Sequence, residues 1–531
     1  MPEAFATNFG GIDWAIVALY LIGIFAVGVW ANRYIHTAAG YIVGGRAAGT
    51  PLNIATYIGT GLGLVTLMYA SIDAFSHGFA YVTLALIGAA VGLTLGSTGW
   101  VIRRLRAMEL MTIPEFFERR FDRRTRVLAG VLCAAAGILN MGLFPKMGAT
   151  FITTVAGLGI GEDDAEAMVN LVTSVLVVMA LVYTVLGGMV SVIVTDYLQY
   201  VLLTVGMGVG VWFCLTDGDL GWTRITQTLA EHRGERMFNP VAEGGYGWWW
   251  IAFNAVTFFA AGIAWAPEAS RALTAGSERG AMRTFLLASP GQFVRLAVPA
   301  LWAAAAFTLI VQSPTLSAHF FPDGTAREAR HAAQAMPLVL GQLLPSGLLG
   351  LLAAGLMAAF MSTHDSYFLC WSSVICRDVV NPLRRRPLSD RGQVRLTRIV
   401  IVAIGAFVLV WGIWYDLPAS VWTYMAVTGS IYLSGASVAL VGGMYWKRAS
   451  RAGATAALLG GLIAVAGIFT DPIERWTGIG LSGPAVGLTS FAFCIVLMVV
   501  FSLWIPDDPT HPGASAAEPA SPASFREGGV A

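Results

Sequence analysis

Between Gly355 and Asp378 the chain reads GLMAAFMSTHDSYFLCWSSVICRD, a long apolar run that carries Ser362, Thr363, His364, Asp365 and Ser366 in its middle. On a helix of 3.6 residues per turn, Ala359, Ser362, Thr363 and Ser366 recur at i, i+3, i+4 and i+7, so two hydroxyls and the carbonyls they free point at one spot. That is the outline of a site for a hard cation. Inside a bilayer the oxygens that sodium needs come only from Ser or Thr hydroxyls, carboxylates, or the carbonyls of an opposed, broken helix. Hydroxyls in membrane helices also bond back to their own i−4 carbonyl or across to a neighbour, and the stretch alone fits that reading equally well. Asp365 tips the balance, because a carboxylate at this depth is costly and usually functional.

The elements that would hold these residues are membrane spans. Of 531 residues, 56% are hydrophobic and only 12% charged, and the charges cluster between apolar runs of about 20 residues, the length that crosses a bilayer. Thirteen transmembrane helices are expected in an all-α polytopic membrane protein, near 12–31, 50–72, 80–101, 127–157, 166–187, 189–213, 247–270, 293–313, 345–375, 396–415, 420–446, 453–470 and 484–505. Arginines crowd the loops at 103–126 and 377–398, which places those loops in the cytoplasm of a multi-pass plasma (inner) membrane protein, with the N-terminus outside and the C-terminus inside. Residues 1–505 read as one transporter domain and 506–531, rich in Pro, Ala and Ser, as a disordered cytoplasmic tail. The first run lacks a basic lead-in and a cleavage site, so it is expected as a retained helix. Net charge of +1 carries no sign of a nucleic-acid partner, and no obligate protein partner is implied. The 5 cysteines show no metal-ligand spacing and read as small core residues.

Two spans look broken. The second, IATYIGTGLGLVTLMYAS, has Gly59, Gly61 and Gly63 at its centre, where the helix can unwind and turn carbonyls toward a ligand. The seventh, WWWIAFNAVTFFAAGIAWAPEASR, holds Asn254, Thr257 and Gly262 in the membrane and Pro267 and Glu268 near its inner end. If spans 2–6 and 7–11 are two five-helix units of opposite topology, each opens on a broken helix. Lys146 stands in span four, and a buried ammonium is expected to pair with a carboxylate, preferentially Asp365 or Asp196, otherwise the acid group of a substrate. Asp196 sits about two turns into span six after a tight turn at Gly187 and Gly188, placed for a second cation or an exit step.

Several motifs in order carry a family resemblance. VGGRAAGTPLN before span two, MTIPEFFERRF after span three, LGGMVSVIVTDYLQ, AFMSTHDS and GGMYWKRASRAGA together are similar to the sodium:solute symporter family, from about residue 12 to 455. The resemblance implies the LeuT-type inverted-repeat fold, with core repeats about 50–213 and 247–446, one extra N-terminal helix and two extra C-terminal helices. It implies a sodium site made by the carbonyls of Gly59, Leu62 and Ala359 and the hydroxyls of Ser362 and Thr363. Some members have a further sodium site, and the matching positions are Asp196, Ser362, Asp365 and Ser366. Asp365 replaces the serine of those members, so proton coupling through Asp196 and Asp365 is an alternative. Substrate is expected near mid-bilayer, with Thr60, Lys146, Asn254, Thr257, Trp265, Tyr424 and Thr428 as candidate contacts. A free Lys146 would favour a carboxylate-bearing solute.

The function expected is secondary active import of a small organic solute coupled to sodium, with no organic cofactor and no catalytic residue. A transporter-like membrane sensor is disfavoured by the short segment after the last span. No HExxH, nucleophile elbow or pore loop speaks for an enzyme or a channel. His364 reads as a packing residue.

Overall fold

In the computed structural model, residues 3–31, 50–158, 165–325, 331–386, 388–415, 417, 420–468 and 482–507 are described, with the backbone alone at 3, 28–31, 52, 60, 186–198 and 468. Among these residues every regular element is helical. Helix α1 (Gly11–Ala31) is followed by α2 (Thr50–Gly61) and α3 (Leu64–His77), then α4 (Val82–Thr98). A short helix, α5 (Ile113–Arg120), precedes α6 (Arg123–Met141) and α7 (Phe144–Val155). Helical backbone then runs through α8 (Ala165–Thr216), which contains two apolar spans, Ala165–Val185 and Gln199–Thr216. The second half has α9 (Gly247–Ala264), α10 (Ala266–Thr274), α11 (Glu278–Gln312), α12 (Leu348–Val374), α13 (Asp390–Trp414) and α14 (Val421–Tyr445). Helices α15 (Arg451–Gly460) and α16 (Gly483–Trp504) close the described chain.

Each of the thirteen expected stretches is largely helical where it is described, with breaks at Leu62–Gly63, Gly142–Leu143 and Trp265. By length and composition 10 helical runs qualify as membrane spans, because Leu64–Thr98 joins two expected spans into one run and two further apolar helices are short. The helix assignment runs through Gly187 and Gly188, where a tight turn was expected. Span eight departs most. It was expected from 293, yet α11 starts at Glu278 and carries Pro290 and Arg295 inside it. Glu278, Arg279, Arg283 and Pro290 precede the apolar run and set the expected start, but the helix is held by its neighbours and extends through them.

Caps explain the helix starts. Asp122 accepts the Thr125 N–H at 2.7 Å before α6, and Ser277 accepts the Gly280 N–H at 3.0 Å before α11. The start of α12 is fixed from another helix: buried Asp13 of α1 accepts the N–H groups of Gly347 at 2.7 Å and Gly350 at 2.6 Å. A carboxylate on the unsatisfied donors of a helix N-terminus neutralises both partners, and it anchors the helix that carries Ser362 and Thr363.

At the other end of α12 the MTIPEFFERRF motif acts as a clasp. Arg126 pairs with Asp378 at 2.7 Å, and the Thr112 hydroxyl donates to the same carboxylate at 2.8 Å. Buried Arg120 donates to the carbonyls of Gly443 (2.9 Å) and Ala449 (3.0 Å) around the end of α14, where the helix dipole favours a cation. Within the clasp Glu115 accepts the Met111 N–H at 2.8 Å and pairs with Arg119 at 2.7 Å.

Candidate functional site

The site begins at the gap between α2 and α3. Leu62 and Gly63 leave the helix there, and Gly63 is extended, with φ −93° and ψ 162°. Leu62 N–H still reaches the Ile58 carbonyl at 2.7 Å and Leu67 N–H the Gly63 carbonyl at 3.2 Å. Among the described residues no backbone N–H bonds the carbonyl of Gly59 or of Leu62. Two carbonyls are thus left without ladder partners in a buried stretch, a condition that normally calls for another ligand.

The gap lies against α12. A Cβ added to Gly63 would stand 2.2 Å from Thr363 Oγ1 and 3.6 Å from the Ala359 carbonyl, so only glycine lets the two backbones approach this closely. Thr363 donates to Ala359 O at 2.9 Å, the back-bond that the bland reading of this stretch anticipated. Ala359, Ser362 and Thr363 are all buried. The broken backbone at Gly63 and the Thr363 hydroxyl, inferred separately from sequence, thus lie side by side.

The second candidate site is only partly described. Asp365 is fully buried and accepts from the Thr184 hydroxyl of α8. The Ser366 hydroxyl has no hydrogen-bond partner among the described residues, and it lines a second cavity with Ser270, Ser373 and Pro267. The Asp196 side chain lies outside the described residues. His364 Nδ1 lies 2.8 Å from the Phe360 carbonyl, and its ring packs among Phe144, Phe360 and Phe368, in keeping with a packing role.

Lys146 Nζ donates to the Tyr415 carbonyl at 3.1 Å, just past the end of α13; no ion pair with Asp365 appears among the described residues, and its expected alternative partner Asp196 has its side chain outside them. The physical reason is the break between α6 and α7 at Gly142 and Leu143. It puts Lys146 in the first turn of α7, facing a helix C-terminus whose partial negative charge satisfies the ammonium.

Beside Thr363 an open cavity lies between α2, α3, α6, α7, α9, α10, α11, α12 and α14. Of the expected substrate contacts, Thr257 and Trp265 line it. Lys146, Asn254, Tyr424 and Thr428 stand behind the lining, and the Thr60 side chain lies outside the described residues. Asn254 accepts the Trp422 indole N–H at 2.7 Å, Tyr424 donates to the Leu139 carbonyl at 3.1 Å, and Thr428 accepts from Asn140 at 3.2 Å. These residues orient the wall instead of forming it. The break at Trp265 between α9 and α10 opens the cavity floor, where Trp265 donates to the Tyr367 hydroxyl at 3.4 Å.

Sequence reasoning missed the strongest feature of this cavity. Arg295 of α11 and Glu268 of α10 both line it, with Nη1 and Oε1 4.0 Å apart. The sequence signal was available: Arg295 is a lone arginine inside GQFVRLAVPALWAAAAF, as conspicuous as Lys146.

The comparisons with known proteins match this architecture. Residues 41–461 match the Sodium:solute symporter family. The chain belongs to that family. Among relatives of this symporter, the human high affinity choline transporter 1 is 26% identical over 81% of this chain and 76% of its own length. The sodium/sialic acid symporter SiaT of Proteus mirabilis is 25% identical over 86% and 89%. A solved structure of a Na+-coupled sialic acid symporter, substrate-bound and outward-open, superposes with a TM-score of 0.75 at 20% identity, covering 94% of this chain and 100% of that one. Mhp1, a nucleobase-cation-symport-1 family transporter in a closed conformation, gives 0.52 at 12% identity over 87% and 94%. The symporter thus has the inverted-repeat transporter fold, and membrane transport is its activity, not covalent chemistry.

Proposed function

We propose that the symporter holds its coupling sodium between the Leu62–Gly63 gap and α12, on the carbonyls of Gly59, Leu62 and Ala359 and the hydroxyls of Ser362 and Thr363. The observation that supports this reading is the close approach of Gly63 to Thr363 and the Ala359 carbonyl, beside two carbonyls that lack ladder partners among the described residues. Those residues fit the ion by chemistry: five neutral oxygens on two rigid half-helices suit a monovalent hard cation, whereas a divalent ion would call for carboxylates. With sodium bound, α2, α3 and α12 are cross-linked; without it, the two helix groups are free to rock. Sodium that binds one of these states more tightly shifts the population toward it, and the solute in the cavity beside the ion travels with that shift.

The cargo is a small organic solute bound beside Thr257, Trp265, Arg295 and Glu268. The relatives carry a cation, a carboxylate sugar and neutral sugars by their names, so relatedness alone does not choose the solute. Arg295, rather than Lys146, is the residue that favours a carboxylate. Asp365, Ser366 and Asp196 form the candidate second cation or proton site on the inner side. The arginine-rich loops support a single transporter unit in the plasma (inner) membrane, with the N-terminus outside and the C-terminus, including the tail from 506, in the cytoplasm.

The test is sodium-driven uptake by purified protein in liposomes. Ser362→Ala together with Thr363→Ala is expected to abolish sodium stimulation while the protein still inserts and elutes as a single species. Unchanged sodium dependence in that variant sinks the assignment.

A further inference from the structure

Arg295 and Glu268 form a sparsely bonded charge pair on the wall of the central cavity. Arg295 is 5% exposed, no N–H of its guanidinium donates a hydrogen bond among the described residues, and its Nε is fully enclosed without a partner. Glu268 likewise accepts no hydrogen bond among the described residues, and at 4.0 Å the two groups sit at the outer limit of an ion pair. Nη1 presses on the end of α2, where a Cβ on Gly61 would stand 2.1 Å away. Gly61 at the end of α2 thus leaves the room that the guanidinium occupies.

A buried ion pair is stable when its remaining donors and acceptors are filled, and one this bare is costly to maintain. Its position on the wall of the solute cavity gives the cost a purpose. The surrounding wall is aromatic: Tyr69 and Trp422 have ring centroids 5.3 Å apart, and Phe258 and Trp422 are 5.6 Å apart. The Trp422 ring is oriented by its indole hydrogen bond to Asn254. Ring faces so arranged attract a substituted ammonium. The Thr257 hydroxyl also points to this wall without a partner among the described residues.

Taking the central cavity as the solute site, we infer that the solute is a small zwitterion, whose carboxylate docks on Arg295 while its ammonium docks on Glu268 and the Tyr69–Trp422–Phe258 wall. Charge counting selects this class. A solute with only a carboxylate pairs with Arg295 but meets Glu268 a few ångströms away, and a solute with only an ammonium meets the reverse conflict. A zwitterion placed antiparallel to the Arg295–Glu268 dipole fills both groups and adds no net charge to the membrane interior. The single positive charge added in transport is then that of the coupling ion.

The experiment is a ligand panel on the purified full-length protein in sodium chloride, read by thermal shift and by competition for binding. The probes are glycine, L-alanine, L-norvaline, L-phenylalanine and glycine betaine, each beside its methyl ester and the matching acid without nitrogen, with choline, glucose and sialic acid added. At least one zwitterion should stabilise the protein, and its ester and nitrogen-free acid should each bind about tenfold or more weakly. Glu268→Gln should shift preference toward the acid, and Arg295→Gln toward the ester, with Glu268→Asp and Arg295→Lys as milder replacements. The inference is overturned if ester or acid binds as well as the zwitterion, if only choline, glucose or sialic acid binds, or if nothing in the panel binds. Sodium-induced stabilisation without any solute reports the cation site separately, so its loss indicts the symport reading and its retention isolates the failure to the solute class.

Discussion

Replacing Gly63 by alanine tests the approach of the two backbones without touching a ligand atom. The φ of −93° and ψ of 162° suit any L-residue, so backbone strain is not the cause of an effect. The new methyl would stand 2.2 Å from Thr363 Oγ1, far inside van der Waals contact, and the neighbouring Ala359 carbonyl at 3.6 Å leaves little room to turn away. Either Thr363 rotates off its inward position or α2 and α3 move back from α12. Relieving such an overlap in a packed interior costs about 1–3 kcal/mol. Drawn from the sodium-bound state, that cost weakens sodium binding about 5- to 150-fold. The assay is thermal unfolding of purified protein against sodium concentration. At a sodium level of 100 times the wild-type dissociation constant, sodium contributes about 2.7 kcal/mol of stability, and a 100-fold weaker variant retains only about 0.4 kcal/mol. A Gly63→Ala protein that folds and shows the wild-type sodium response refutes the reasoning.

Three further outcomes follow from the same geometry. Lys146→Met and Asp365→Asn should destabilise additively, to within about 0.5 kcal/mol, because the two side chains do not pair; a coupling energy above about 1 kcal/mol in the double-mutant cycle contradicts this. Asp378→Ala strips Arg126 of its buried partner and Thr112 of its acceptor, with an expected loss of about 3 kcal/mol in thermal unfolding, at the low end for such pairs because Arg126 keeps Glu118. A loss below about 1 kcal/mol would remove the clasp from the account. Glu115 lies outside the spans: burial raises its pKa, but the Met111 N–H and Arg119 outweigh it and leave the group below its usual value. A lowered folded-state pKa stabilises above about pH 4.3 and fades as pH falls through the folded value, so the gap between wild type and Glu115→Gln should be full at neutrality and close on acidification. A gap that does not change with pH would be the contrary result.

How much of this was legible in the chain depends on whether the signal was local. Apolar run length, arginine crowding in two loops and the polar and glycine residues within spans two and seven are one-dimensional features, and they sufficed for the all-helical membrane architecture and the two broken helices, while the family was legible in the motif series from VGGRAAGTPLN to GGMYWKRASRAGA. The hydroxyl pair at Ser362 and Thr363 was legible for the same reason, because helical period alone puts it on one face. Lys146 and Arg295 show the limit. Both are lone cations in apolar runs, and nothing in their neighbours along the chain distinguishes them. A break in α6–α7 aims Lys146 at the end of α13, while α11 carries Arg295 past α2 to the cavity opposite Glu268. Sequence determined that charges would be buried in this membrane protein; only the packing of helices distant in the chain decided which charge faces the central cavity, because the pairing of a buried ion depends on what lies a few ångströms away in space.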